Sequence, residues 1–329
     1  MADEAVFIIT IALTLAYAYA NGINDAANAI ATVVSTRVLP PMLAVAMGAS
    51  LNLAGALTGT AVAKTIGKGI VDPAFINEYT VMAAITASVL WVLIATRSGL
   101  PVSVSHSLIA SIVGAGLASA GVSALKLQEI IKVVIALAIS PLAGFLIAFI
   151  VMLGLYWLVR RVSPGNVRSI FSRLHILSGA FMAYSHGKND GQNAIGIIAL
   201  ATAVRYNQPL VIDLWMILAG ASAIAMGTAL GGWRVIRTLG LRITKLDDIH
   251  GFAASTAAGS VIEVASFVGL PISTTHTISG SIMGVGATRR FSAVRWGVTR
   301  NMAMAWLVTY PVCFAIAWIV ATFFKTVLL

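Results

Sequence analysis

Charge is what this chain has least of. Only 10% of its 329 residues are Asp, Glu, Lys or Arg, against about 25% in an ordinary soluble domain. With 59% hydrophobic residues and a mean hydropathy of +0.95, that scarcity excludes a water-solvated surface and implies an integral membrane protein in a lipid bilayer. Cysteine is almost absent as well. Cys313 stands alone in an apolar segment, so no disulfide within the chain and no thiol motif are available. No Cys/His cluster has metal-ligand spacing, no glycine-rich nucleotide loop is present, and no histidine has a recognisable nucleophile partner. An enzyme is therefore not expected, and no cofactor is called for. Met1-Ala2-Asp3-Glu4 carries no basic residue ahead of its apolar run, so a cleaved signal peptide is not expected. The net charge of +10 would suit nucleic acid. The basic residues flank apolar runs, however, and read as topology signals, so no nucleic-acid partner is expected.

What is present is long apolar runs. A bilayer-crossing helix needs about 20 apolar residues. Candidate segments run over 5–34, 42–65, 79–96, 100–120, 130–159, 176–203, 211–232, 251–268, 270–286 and 294–324. The first and sixth are long enough to be broken helices or hairpins. The expected fold class is thus an all-α integral membrane protein.

The chain also repeats itself. Asn21-Gly22-Ile23-Asn24-Asp25-Ala26-Ala27-Asn28-Ala29-Ile30 returns 165 residues later as His186-Gly187-Lys188-Asn189-Asp190-Gly191-Gln192-Asn193-Ala194-Ile195. Gly99-Leu100-Pro101-Val102-Ser103-Val104-Ser105-His106-Ser107 returns 170 residues later as Gly269-Leu270-Pro271-Ile272-Ser273-Thr274-Thr275-His276-Thr277. Residues 1–160 and 174–329 read as two copies of one unit. The basic linker 161–173, which overlaps a polar Pro-Gly stretch (160–168) that reads as a loop, joins them. With that linker in the cytoplasm and the segments alternating, most of the 21 lysines and arginines fall inside. Lys64, Lys68, Lys126, Lys132, Arg205 and Lys325 fall outside, which is the expected bias. Both chain ends then lie outside. About five crossings per half is an odd number, so the repeats are expected to be inverted, the arrangement of alternating-access transporters.

Ionisable and amide groups inside a membrane are costly and are usually kept for function. Asn and Asp compete with helical hydrogen bonding, so the two Asn-Asp motifs predict helices interrupted at mid-membrane. Their carboxylates and freed carbonyls suit a hard cation: Na⁺ at Asp25 and Asp190, or a proton. Asn28 and Asn193 are placed to face the same cavity. The alternative is a polar clasp between helices. In the second motif Pro suits the first turn of a helix. Ser103, Ser105 and Ser107, and Ser273, Thr274, Thr275 and Thr277, then bring hydroxyls and free N–H groups to one spot, a site for an oxyanion. Ordinary helix capping is the alternative. His106 and His276 either donate to the oxyanion, relay a proton or bond a neighbouring carbonyl. Two charges occur in one half only. Lys188 either lies beside the anion or neutralises Asp190; Glu263 is a coupling residue or pairs with a basic loop residue.

These residues resemble the inorganic phosphate transporter (PiT) family, whose signature is a duplicated Gly-x-Asn-Asp-x-x-Asn followed by Gly-Leu-Pro-x-Ser-x-x-His. The resemblance spans essentially the whole chain. It implies a homodimeric plasma- or inner-membrane symporter of inorganic phosphate, driven by Na⁺ or H⁺, with both substrates held near the middle of the bilayer. Carried over by position, Asn24, Asp25, Asn28, Asn189, Asp190 and Asn193 are the cation ligands. Ser103, Ser105, Ser107, Ser273, Thr275 and Thr277 match the hydroxyl motif and are the phosphate ligands the resemblance implies. Thr274, His106, His276 and Lys188 join them as candidates from the reading of the residues, Lys188 standing where many relatives carry a small residue. Asn52 and Ser255 stand closest to the positions where some relatives carry glutamate. Some family members resemble sulfate permeases, so sulfate is the second substrate reading, and a passive anion channel the third.

Overall fold

The computed structural model describes residues 2–327; the extreme termini, expected on the outer side of the membrane, lie outside the described residues. Among the described residues the chain is helical apart from short turns and one isolated bridge between Val71 and Leu125. The first half contributes α1 (Ala2–Thr36), α2 (Pro41–Ala56), α3 (Ala61–Gly69), α4 (Glu78–Ser98), α5 (Val104–Ala120) and α6 (Leu127–Val159). The second contributes α7 (Pro164–Tyr206), α8 (Leu214–Leu230), α9 (Trp233–Arg237, continued by a π-helical turn Thr238–Arg242), α10 (Asp248–Phe267), α11 (Thr274–Arg289) and α12 (Trp296–Val327). The order repeats element by element. Even the breaks correspond: α2 meets α3 at 67°, and α8 meets α9 and its continuation at 62°.

Glu4–Thr36 of α1, together with α4, α6 and α12, is long and apolar enough to cross a bilayer, and the two bent pairs bring the number to six. The motif-bearing α5, α7 and α11, and α10, fail that test by length or polarity. They are also heavily enclosed: every residue from Thr274 to Ala287 of α11 is buried. Protein surrounds the motif-bearing parts of α5, α7 and α11, so they tolerate polar groups that a lipid-facing helix could not carry.

The halves interlock. α1 packs on α8 while α2 packs on α7, and α5 packs on α12 while α6 packs on α11. Each of the two large apolar cores therefore draws residues from both halves.

Two sequence expectations are corrected. The stretch 160–168 is a loop only through Ser163. Pro164 then starts α7, because its fixed φ suits a first helical position and its missing N–H leaves nothing unsatisfied there. More important, neither Asn-Asp motif breaks its helix: α1 and α7 run through both without interruption. Asn24, Asn28, Asn189 and Asn193 bond to other elements instead of their own backbone, which removes the competition that would have opened the helix. Gly22 and Gly187 serve contact rather than bending. A Cβ on Gly22 would strike the Ile224 carbonyl of α8, and one on Gly187 would strike Asn52 of α2.

Candidate functional site

The two Gly-Leu-Pro turns prepare one wall of the site. Gly99 and Gly269 sit at φ 67° and 75°, a left-handed conformation that costs glycine little. The chain can therefore leave α4 and α10 and restart within a few residues as α5 and α11. Ser103 and Ser273 cap those restarts by accepting the N–H of His106 at 3.2 Å and of His276 at 3.1 Å. Their hydroxyls are committed to capping. Ser107 and Thr277 turn back to carbonyls of their own helices at 2.7 and 2.8 Å, and Ser107 also meets Ser88 at 2.8 Å.

Of the remaining hydroxyls, Thr274 and Thr275 face the acids. Thr274 donates to Asp190 Oδ2 at 3.0 Å, and Thr275 Oγ1 lies 3.2 Å from Asp25 Oδ1 and 3.1 Å from the Val102 carbonyl. Asn28 donates its amide to both threonine hydroxyls, at 3.1 and 2.9 Å. Its repeat counterpart Asn193 reaches Ser105 at 3.3 Å. All three bonds cross from one half to the other. Asn24 and Asn189 act one turn earlier: Asn24 donates to Thr96 at 2.9 Å, and Asn189 donates to Ser266 at 2.9 Å and to the Leu270 carbonyl at 3.2 Å.

Asp25 and Asp190, one from each half, converge on a single imidazole. His186 Nε2 lies 3.3 Å from Asp190 Oδ2 and 4.0 Å from Asp25 Oδ2. Ligand atoms of these three buried residues lie within 4.8 Å of one another. The ring is oriented from behind. Asn52 donates its amide to Thr228 at 2.7 Å, which leaves its carbonyl oxygen to accept His186 Nδ1–H, also at 2.7 Å. With Nδ1 carrying that proton, Nε2 is the nitrogen turned to the acids. The two aspartates are 1% and 2% exposed, so the cluster is closed to solvent. Around it, Asn24 Oδ1, Asn28 Oδ1, Asn193 Oδ1 and Asp190 Oδ1 are buried acceptors that receive no hydrogen bond, and the Tyr17 hydroxyl is buried without a partner.

The other predicted residues lie elsewhere. His106 and His276 pack against one another with tilted rings 4.5 Å apart, His106 edge-on against Tyr310 at 4.4 Å and His276 tilted against Trp306 at 3.9 Å, both of α12. Lys188 pairs with Glu263, not with Asp190, and that pair is partly exposed beside the α2–α3 break. The reason is register: Lys188 is two residues from Asp190, so the helix turns the two side chains to different faces. Sequence reasoning assigned no role to His186, although it is the one motif position where an amide, Asn21, is replaced by a titratable ring. Thr96 and Ser266 share the 170-residue offset of the second motif and were legible on that ground. Asn52 was marked only by its place near a glutamate of some relatives, and Tyr17, with Met182 at the 165-residue offset, carries no such signal.

The chain matches the model of the Phosphate transporter family over residues 21–170 and again over 160–317. It is 42% identical over 304 residues to a "Probable low-affinity inorganic phosphate transporter" of Rhizobium meliloti (strain 1021), covering 92% of this chain and 91% of that one. It is 40% identical over 309 residues to a protein of the same description from Bacillus subtilis (strain 168), covering 93% of each. Its fold is similar to a solved structure described as "The sodium-dependent phosphate transporter", with a TM-score of 0.89 and 27% identity over 98% of this chain and 100% of that one.

Proposed function

The chain belongs to the phosphate transporter family, and on that premise we propose that it is a secondary transporter moving inorganic phosphate together with a cation, Na⁺ or H⁺, by alternating access. One observation carries this reading. Two buried carboxylates from opposite halves converge beside buried amide oxygens that receive no hydrogen bond. Unsatisfied acceptors in a buried place are a cation's coordination shell or a proton's destination.

Coupling then follows from electrostatics. Phosphate brought to Ser105, Thr274 and Thr275 approaches Asp25 and Asp190. At a separation of about 5 Å and an effective dielectric of about 20, each carboxylate opposes the anion by roughly 3 kcal/mol. A cation between the acids, or a proton on them, cancels that repulsion, so the anion is admitted only with its partner. Phosphate also retains a proton at neutral pH and can donate to a carboxylate, which sulfate cannot. This favours phosphate over sulfate wherever the anion touches Asp25 or Asp190 directly.

For the moving parts, the reading takes residues 1–160 and 174–329 as inverted repeats about the 161–173 segment, with both chain ends outside and the protein a homodimer. The breaks after α2 and α8 and the glycine turns at Gly99 and Gly269 are the points at which the repeats would flex. The test is uptake of labelled phosphate and of sulfate into proteoliposomes under separate Na⁺ and proton gradients. Phosphate uptake that needs one of the gradients supports the proposal. Conductance indifferent to both would make the protein a passive channel, and preferential competition by sulfate would make it a sulfate permease.

A further inference from the structure

Three arginines follow the α8 break within nine residues: Arg234, Arg237 and Arg242. By composition they are topology signals. In the fold they line one cavity of about 450 Å³, together with Trp233 and Thr238, opposite Ser98 and Gly99 at the end of α4. No carboxylate lines this cavity. Among the described residues none of the three arginines takes part in an ion pair. Arg234 donates to the Arg97 carbonyl, and Thr238 lies 3.3 Å from the Gly99 carbonyl, which fastens α9 to the Gly-Leu-Pro turn.

The other repeat supplies a control. There Thr65 makes the equivalent bond to the Gly269 carbonyl at 2.7 Å, and Ala61 faces Gly269 as Arg234 faces Gly99. Lys64 follows Ala61 as Arg237 follows Arg234, and Gly69 stands in the place of Arg242. The same turn is thus fastened without a triple-arginine wall. Three cations facing one cavity without a counter-ion repel one another, and of the three only Arg234 has a fastening bond to offset that.

We propose that Arg234, Arg237 and Arg242 form a second binding site, for a phosphate group, distinct from the buried Asp25–Asp190 chamber. The planar guanidinium fork matches phosphate oxygens two at a time. The volume exceeds that of a bare oxyanion and admits a substituent on the phosphate. Trp233 is partly exposed at its edge, and Leu230 and Leu241 are exposed on either side, an apolar rim on which acyl chains can rest. The source of the group is free inorganic phosphate or an anionic lipid headgroup, and the two separate experimentally. Ser98 lies two residues past Thr96, which holds Asn24, so the site shares the last turn of α4 with the buried chamber.

The test uses the full chain in phosphatidylcholine nanodiscs and follows hydrogen exchange of residues 233–242. In one arm sodium phosphate is titrated against sodium chloride at matched ionic strength. In the other the discs are doped with phosphatidylglycerol and no phosphate is added. Slower exchange in the first arm identifies free phosphate as the ligand; slower exchange in the second identifies the lipid headgroup. Arg237→Gln/Arg242→Gln is expected to raise the half-saturating concentration by about tenfold or more, while Arg237→Lys/Arg242→Lys keeps the charge and controls for folding. No protection of the wild type in either arm, or protection unchanged in the glutamine variant, overturns the proposal. Because the readout is binding and not uptake, failure of the transport reading leaves this result interpretable.

Discussion

Replacing Asp190 by asparagine tests the chamber most directly. The change keeps the volume and one acceptor oxygen and removes only the charge. A unit positive charge 3.3–4.0 Å from a carboxylate oxygen, the span over which His186 Nε2 sees Asp190 and Asp25, is stabilised by roughly 4–5 kcal/mol at an effective dielectric of about 20. If the amide dipole of asparagine retains about half of this, the loss is roughly 2–2.5 kcal/mol, or a cation affinity about 30- to 70-fold weaker. Phosphate uptake into proteoliposomes, measured against the concentration of the driving cation, should therefore show a half-saturation shifted upward by that factor for Asp190→Asn. Asp25→Asn, on the opposite half, should shift it in the same direction. Size-exclusion profiles in detergent would confirm that each variant is folded. Cation dependence unchanged in both variants would refute the reasoning, because a chamber built on two converging charges cannot lose either one silently.

Thr275→Val removes a hydroxyl shared by Asp25 and Asn28; phosphate half-saturation should rise about tenfold, and Thr275→Ser should restore it. Gly187→Ala drives a methyl into Asn52 of α2 and should cost about 1–3 kcal/mol by overpacking. This would be read as a lower Tm in detergent, whereas Gly154→Ala, with open space around it, should leave Tm unchanged or higher. Lys188→Met should destabilise by more than the about 1 kcal/mol of an exposed pair, since both side chains are more than two-thirds buried and Glu263 would be left without its cation. A double-mutant cycle with Glu263→Gln would measure the coupling, and a coupling near zero would refute this.

Much of the site was legible before any coordinates. Asn24, Asp25 and Asn28 and their repeats announced themselves because polar groups in apolar runs are rare and here occur twice. The hydroxyl motifs were legible for the same reason, but their division of labour was not. Ser103 and Ser273 became caps and Ser107 and Thr277 turned inward, because which hydroxyl faces the acids depends on the azimuth at which α5 and α11 restart. The expected breaks in α1 and α7 failed on a similar ground. Whether Asn opens its own helix depends on whether another helix offers it a better partner, and Thr96, Ser105, Ser266 and Thr275 do so.

The chain alone determined that the protein lives in a membrane, that it is one unit doubled, and which chemical groups it keeps away from lipid. These follow from transfer free energies and spacings, which are local and add along the sequence. Only the tertiary structure decided that α1 pairs with α8 and α2 with α7, that Asp25 and Asp190 meet across the halves, and that His186 stands between them, held by Asn52. Such choices are set by where a distant backbone arrives, and no spacing within one helix records that.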